Sequence, residues 1–292
     1  MATLRDIKRK IDAVKKTSQI TKAMNMVAAA KLRGAQANME KFHPYALKFK
    51  EVIGRLAAGV EEGGEYELLN PREQVKKIVL VLVTADRGLC GSFNNNLIIT
   101  AERFIREKQA AGVDVSLITV GRKGADYFRR RSIEIRRRMI GVLNKPNYDD
   151  ALSLGRELIE LFETGECDEV YVVYSSFLSM VRQVATMVQL LPIAPASPSE
   201  EQEEGYFEYL FEPSHQALLT DLLPNFLYIQ LLEHFYQTSV GEHAARMAAM
   251  ENATSNCKEL VRTLTLTYNK ARQAGITKEL MDIVGGAEAL RK

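Results

Sequence analysis

Residues 77–84 read Lys77-Ile-Val-Leu-Val-Leu-Val-Thr84, six apolar residues in a row, four of them β-branched. A run that is apolar at every position, rather than at every second one, is a strand covered on both faces. Such strands belong to sheets with helices on each side, so strands and helices should alternate in the flanking sequence. A helical stretch spans about residues 95–111, followed by a strand over Val113–Val120 and a short helix over Gly121–Arg131. Ile133–Met139 alternates apolar with basic residues, the pattern of a half-exposed edge strand. Tyr148–Glu163 returns to helix, and Glu169–Ser175 and Val181–Leu191 read as strands. This alternation predicts an α/β fold, a Rossmann-like, parallel-rich domain over residues 75–211. Pro192, Pro195, Pro198 and the acidic run Glu200–Glu204 form a loop, after which Tyr206–Phe211 could add one further strand.

Outside the sheet the pattern changes period. Leu4, Ile7, Ile11, Val14, Ser18, Thr21, Asn25, Ala28, Leu32, Ala35, Met39 and Phe42 follow 4-3 steps, a coiled-coil seam with a polar centre. A second apolar line through Ile20, Met24 and Val27 crosses it. After Pro224 the remaining 68 residues hold no proline, and Val240, Ala244, Met247, Leu260, Leu264, Tyr268 and Ala271 again take heptad-like steps. As one helix those residues would extend about 100 Å at about 1.5 Å per residue, far beyond an ordinary globular helix. Helices of residues 1–58 and 212–292 are therefore expected to pair as a long antiparallel coiled coil. The C-terminal partner is the longer one. Its unpaired tip would expose Ile276, Leu280, Ile283, Val284 and Ala287 to water, which implies a socket in another protein.

Composition excludes several classes. Net charge is +2 and 26% of residues are charged, so no global nucleic-acid signature exists. The basic excess is local: Met1–Arg33 carries nine Lys and Arg against Asp6 and Asp12. A solvated face, an acidic protein partner, an anionic lipid surface and nucleic acid all remain open for it. Cys90, Cys167 and Cys257 match no metal or redox spacing. No apolar run is long enough to span a membrane, and no signal-peptide pattern opens the chain. A soluble chain in the cytoplasm is expected, one that could still sit on a membrane complex.

No catalytic constellation emerges. The loop Asp86-Arg87-Gly88-Leu89-Cys90-Gly91-Ser92 lies where a Rossmann-like sheet binds phosphate, yet it lacks both glycine-rich fingerprints and reads as a structural turn. His43, His215, His234 and His243 share no ligand spacing and are expected on surfaces. Arg129–Arg131 and Arg136–Arg138 could bind an anion, although blunting a sheet edge accounts for them equally.

At the chain ends the residues exceed generic coiled coil. Ile20-Thr-Lys-Ala-Met-Asn-Met-Val-Ala-Ala-Ala-Lys-Leu-Arg33 resembles the N-terminal signature of F-type ATP synthase gamma subunits. Glu251-Asn-Ala-Thr-Ser-Asn256, Tyr268-Asn-Lys-Ala-Arg-Gln-Ala-Gly-Ile-Thr-Lys-Glu-Leu280 and Ile283-Val-Gly-Gly-Ala287 resemble its C-terminal signature. Thr84-Ala-Asp-Arg-Gly-Leu-Cys-Gly-Ser-Phe-Asn94 is similar to the family's middle motif.

The resemblance implies a non-catalytic rotor shaft without cofactor or metal. It implies alpha and beta subunits of a catalytic hexamer, an epsilon subunit and a c-ring as partners, with no nucleic acid. Proton flow through the ring would turn the shaft and drive ATP synthesis. It further implies Lys22, Met24, Arg246, Arg272, Gln273 and Thr277 as contacts to the beta subunits, and Ile276, Leu280, Ile283 and Val284 as occupants of the hexamer's apolar collar. Tyr209 and Glu212 would lie at the foot, near epsilon and the c-ring. Photosynthetic relatives carry a cysteine-bearing insertion that this sequence lacks, so thiol regulation is not expected. The helix begins almost at Met1, which reads as bacterial, with the chain peripheral on the cytoplasmic face of the inner membrane. Two other readings stay open: a nucleotide-binding α/β enzyme and a coiled-coil adaptor.

Overall fold

The Lys77–Val83 run forms strand β1, and every residue in it after Lys77 is buried. It is central because its two edges and both faces are used. Parallel neighbours lie on each side, β2 (Asp114–Val120) and β4 (Glu169–Phe177), in registers that include Leu80↔Leu117 and Leu80↔Tyr171. β3 (Ile135–Met139) pairs parallel with β2, and β5 (Gln183–Leu191) pairs antiparallel with β4. The five-stranded sheet has the order β3-β2-β1-β4-β5. The expected parallel-rich sheet is therefore present, with the half-exposed Ile135–Met139 at one edge. The computed structural model behind this description covers residues 3–58, 66–131, 133–193 and 215–289. The strand expected at Tyr206–Phe211 lies outside those residues.

Four helices complete the picture around the strands and a fifth opens the chain. They are α1 (Leu4–Ala58), α2 (Phe93–Ala110), α3 (Arg122–Phe128), α4 (Tyr148–Glu163) and α5 (His215–Ala289). Alternation along β1 sends Ile78, Leu80 and Leu82 to one face, where Leu97, Ala101, Phe104 and Ile105 of α2 and Phe128 of α3 cover them. Val79, Val81 and Val83 face the other way. Ile53 and Leu56 of α1, Leu154 and Leu158 of α4, and Leu227, Leu231 and Phe235 of α5 cover that side. At Gly155 of α4 the approach is close, since a Cβ there would lie 2.2 Å from Tyr228 Cδ1 of α5.

The chain divides into two compact units, residues 1–29 with 246–292, and residues 30–245. In the first unit α1 and α5 pair through the expected seam. Ile7, Ile11, Thr21 and Ala28 are buried and Val14, Ser18 and Asn25 half-buried. The Thr21 and Thr254 hydroxyls meet at 2.7 Å, and Asn25 Nδ2 donates to Met247 O at 2.8 Å. Residue numbers fall on α5 as they rise on α1, so the pair is antiparallel.

One detail differs from the sequence reading. Leu260 is 47% exposed, and the α5 seam runs instead through Met250, Thr254, Cys257, Val261, Leu264, Tyr268 and Ala271. Leu260 stands one position off that line, about 100° around the helix. The α5 helix begins at His215, inside the expected span of 212–292, and holds Pro224 within it. Proline removes one internal hydrogen bond, but buried Leu219, Leu223, Phe226 and Leu227 hold the first turns on the sheet. Pro44 is likewise inside α1.

Candidate functional site

Pairing within the first unit leaves two surfaces outward. On α1, Lys8, Arg9, Lys15, Lys16 and Lys22 are exposed, and among the described residues they form no ion pair. Apolar side chains lie among them: Ile20 and Met26 are 60% exposed and Val27 59%. The sequence line through Ile20, Met24 and Val27 thus points away from the seam, with Met24 half-buried at its margin. Lys22 and Met24 are two positions apart on a helix and so face nearly opposite ways. Lys22 shares its face with Met26, a residue the sequence reading left out. Its signal was its place one turn after Lys22.

The second surface is the C-terminal part of α5. Gly275 is the last half-buried seam residue, and the described side chains from Ile276 to Ala287 are all exposed. Ile276, Leu280, Ile283 and Ala287 recur at steps of four, three and four, so they share one stripe. Gln273, Thr277, Leu280 and Val284 form the adjoining stripe, which places the two polar residues at the base of the apolar one. Arg272 is exposed, and Arg246 half-buried. Met281, 68% exposed, extends the apolar surface and was not anticipated. Tyr209 and Glu212 lie outside the described residues.

The loop after β1 lies where a Rossmann-like sheet would take a phosphate, and a carboxylate of the chain itself binds backbone N–H groups there. The Asp86 carboxylate accepts from the backbone N–H of Arg122 at 3.0 Å and of Gly141 at 3.0 Å. It thus stands at the α3 N-terminus, where an anion would otherwise go. Asn94 Oδ1 accepts from Ala85 N at 2.9 Å, and Thr84 Oγ1 accepts from Gly124 N at 2.9 Å. Gly121, at φ +96°, packs so closely that a Cβ would lie 1.8 Å from Thr84 O. The loop therefore ties three strand ends together, as its poverty in glycine suggested.

Two of the candidate arginines are also absorbed. Arg136 pairs with Glu166 and donates to Ser116 Oγ, while Arg137 pairs with Glu157 and bonds Ser153. These contacts fasten the edge strand to the body of the domain. Among the described residues no cluster of His, Cys, Asp and Glu could hold a metal ion. Burial pushes the Cys167 thiol up to about 12, so its thiolate is withheld.

The histidines correct the sequence reading. His43 is exposed and meets Glu233 at 3.0 Å, but His234 and His243 are buried. His234 stacks on Tyr174 with ring centroids 4.0 Å apart, and neither of its nitrogens has a hydrogen-bond partner among the described residues. Residues 226–244 of α5 are packed nearly all round, so no outer face was left for these side chains.

Comparison with known proteins bears on these surfaces. The sequence profile of the family described as ATP synthase matches residues 3–290. The chain is 79% identical to the ATP synthase gamma chain of Syntrophobacter fumaroxidans, over the full length of both. It is 47% identical to the gamma chains of Nitratidesulfovibrio vulgaris and Syntrophus aciditrophicus, again over both full lengths. In fold it is similar to a chain of the Euglena gracilis mitochondrial ATP synthase, with a TM-score of 0.66 at 22% identity, covering 98% of this chain and 94% of the other. A chain of the Tetrahymena thermophila central stalk and c-ring gives a TM-score of 0.60 at 22% identity, covering 80% and 99%.

Proposed function

The chain belongs to the ATP synthase gamma-chain family, and from that premise we propose that it is the central-stalk rotor, coupling c-ring rotation driven by proton flow to ATP synthesis in a hexamer of alpha and beta subunits. The carrying observation is the stretch of α5 beyond Gly275, a helix whose apolar stripe has no partner among the described residues of its own unit. Isolated helices gain most of their stability from burying such a face, so this one is built for a socket. The collar is assigned to Ile276, Leu280, Ile283 and Val284. Arg272, Gln273 and Thr277 at their base, with Arg246, Lys22 and Met24, are assigned to the beta subunits. Exposed lysines without acidic partners suit acidic loops there, and a guanidinium can grip a carboxylate with two hydrogen bonds.

Catalysis is left to the partners. A helix pair that is not threefold symmetric, turning inside a hexamer with three beta subunits, contacts each beta differently. Each orientation then favours a different nucleotide affinity in each, a population shift driven by differential contacts. Epsilon and the c-ring are assigned to the foot, including Tyr209 and Glu212, and membrane association comes through the complex at the cytoplasmic face.

Co-purification tests the reading. Mixed with alpha and beta subunits, the chain is expected to elute as one copy per three beta subunits, and alone to bind no ATP. Stoichiometric nucleotide binding by the isolated chain would support the enzyme alternative instead.

A further inference from the structure

In open α/β sheets a ligand sits outside the carboxyl ends of the strands, where the strand order reverses direction. In the order β3-β2-β1-β4-β5 that point lies between β1 and β4. Here it is filled by α5. Gly241 is buried, and a Cβ on it would lie 2.9 Å from Ser175 Oγ near the end of β4 and 3.2 Å from Phe93 Cε2 after β1. Only a residue without a side chain lets the helix backbone settle this deeply.

Two hydroxyls flank that contact. The backbone N–H of Ser175 donates to Thr238 Oγ1 at 3.2 Å, and Ser239 Oγ donates to Leu143 O at 2.8 Å. Leu143 belongs to the turn after β3, so neighbouring residues of one helix grip main-chain atoms on opposite sides of β1. Both are fully buried, with Thr238 at 0% and Ser239 at 1% exposure. Threonine, serine and glycine are poor residues for a helix interior, yet Thr238-Ser-Val-Gly241 stands inside the longest helix of the chain. Apolar packing resists separation of a helix from a sheet but has no direction. Hydrogen bonds about 100° apart around the axis oppose its turning.

We infer that the switch-point crevice is a socket for the chain's own helix, and that Thr238, Ser239 and Gly241 are positioning residues that lock α5 against rotation relative to the sheet, so that torque on the α/β domain is delivered along α5. The inference rests on the rotor reading.

The test uses full chain reconstituted with alpha and beta subunits, the hexamer fixed to a surface. A bead is attached at Gln109→Cys on the exposed side of α2, in a Cys257→Ser background. With ATP, the bead on the otherwise wild-type chain is expected to turn. In Thr238→Val with Ser239→Ala, its angular spread during pauses should widen about twofold or more, as expected when buried hydrogen bonds are lost. ATP turnover by the hexamer should be unchanged. Thr100→Val, which removes a hydroxyl bonded only within α2, should match the parent. A double variant with the parent's angular spread overturns the clamp while leaving the rotor reading intact. A parent bead that never turns overturns both. Should the double variant fail to assemble, Thr238→Val in the free chain decides. Hydrogen exchange at the Ser175 amide that is roughly fivefold faster supports the clamp, and unchanged exchange refutes it.

Discussion

Thr21 and Asn25 lie where a coiled coil ordinarily places leucine, and sequence alone offered no reason for them. The structure supplies one, because each has a polar partner across the seam, Thr254 Oγ1 and Met247 O. A satisfied buried polar group fixes register at modest cost in packing. Asn25→Ala should therefore lower thermal stability by about 1 kcal/mol, read from unfolding of the full chain. His234 makes a second residue-scale prediction. Burial, with the Lys50 ammonium nearby, pushes its imidazole down to about 3 from an ordinary 6.5. The unfolded chain takes up this proton near pH 6.5 and the folded chain does not. Its contribution to stability is thus complete above pH 6.5 and declines as pH falls from there toward 3, by on the order of 1 kcal/mol per pH unit. Urea unfolding at pH 7 and pH 5 should show that loss, and His234→Phe, which keeps the stack on Tyr174, should reduce it.

At the scale of elements, legibility followed periodicity. Lys77–Val83 and Tyr148–Glu163 were plain in the sequence because one is apolar throughout and the other has strong helical spacing, to which the structure adds an Asn147 cap whose Oδ1 accepts from Asp150 N. The α5 seam was only half legible. Leu260 is more apolar than Cys257, so the apolar pattern favoured the wrong line, and only the position of α1 decides between them. Local chemistry disfavours proline in a helix, yet burial of the neighbouring side chains holds Pro224 inside α5. The crevice was invisible for a further reason: nothing in Thr238-Ser-Val-Gly241 announces contact with residues some sixty to one hundred and fifty positions away. Packing between elements has its own test at Gly155. Its Cβ would collide with the ring of Tyr228, itself buried. Gly155→Ala should cost about 1–3 kcal/mol through overpacking, despite alanine's better helix propensity, and the melting temperature should fall.

For the molecule as a whole, the division of labour rests on what each unit leaves uncovered. Residues 30–245 bury two apolar layers, and their Asp86 carboxylate binds the Arg122 and Gly141 N–H groups beside the phosphate-site loop. Residues 1–29 with 246–292 expose an apolar stripe and lysines, among them Lys8, Lys15, Lys16 and Lys22, that form no ion pair among the described residues. Burying a leucine, isoleucine or valine contributes about 1.5–3 kcal/mol each. Deleting residues 276–292 should thus weaken assembly with alpha and beta subunits roughly a hundredfold or more, while circular dichroism of the α/β domain stays unchanged. Undiminished assembly would show that the tip needs no socket. In the proposed role this chain turns inside a hexamer whose catalysis it does not share. Rotation tests it most directly, with alpha and beta subunits fixed to a surface and a label on the α/β domain. Rotation in one direction during ATP hydrolysis, with three pauses per turn for three beta subunits, is the predicted result. A label that stays still while the assembled complex hydrolyses ATP would contradict it.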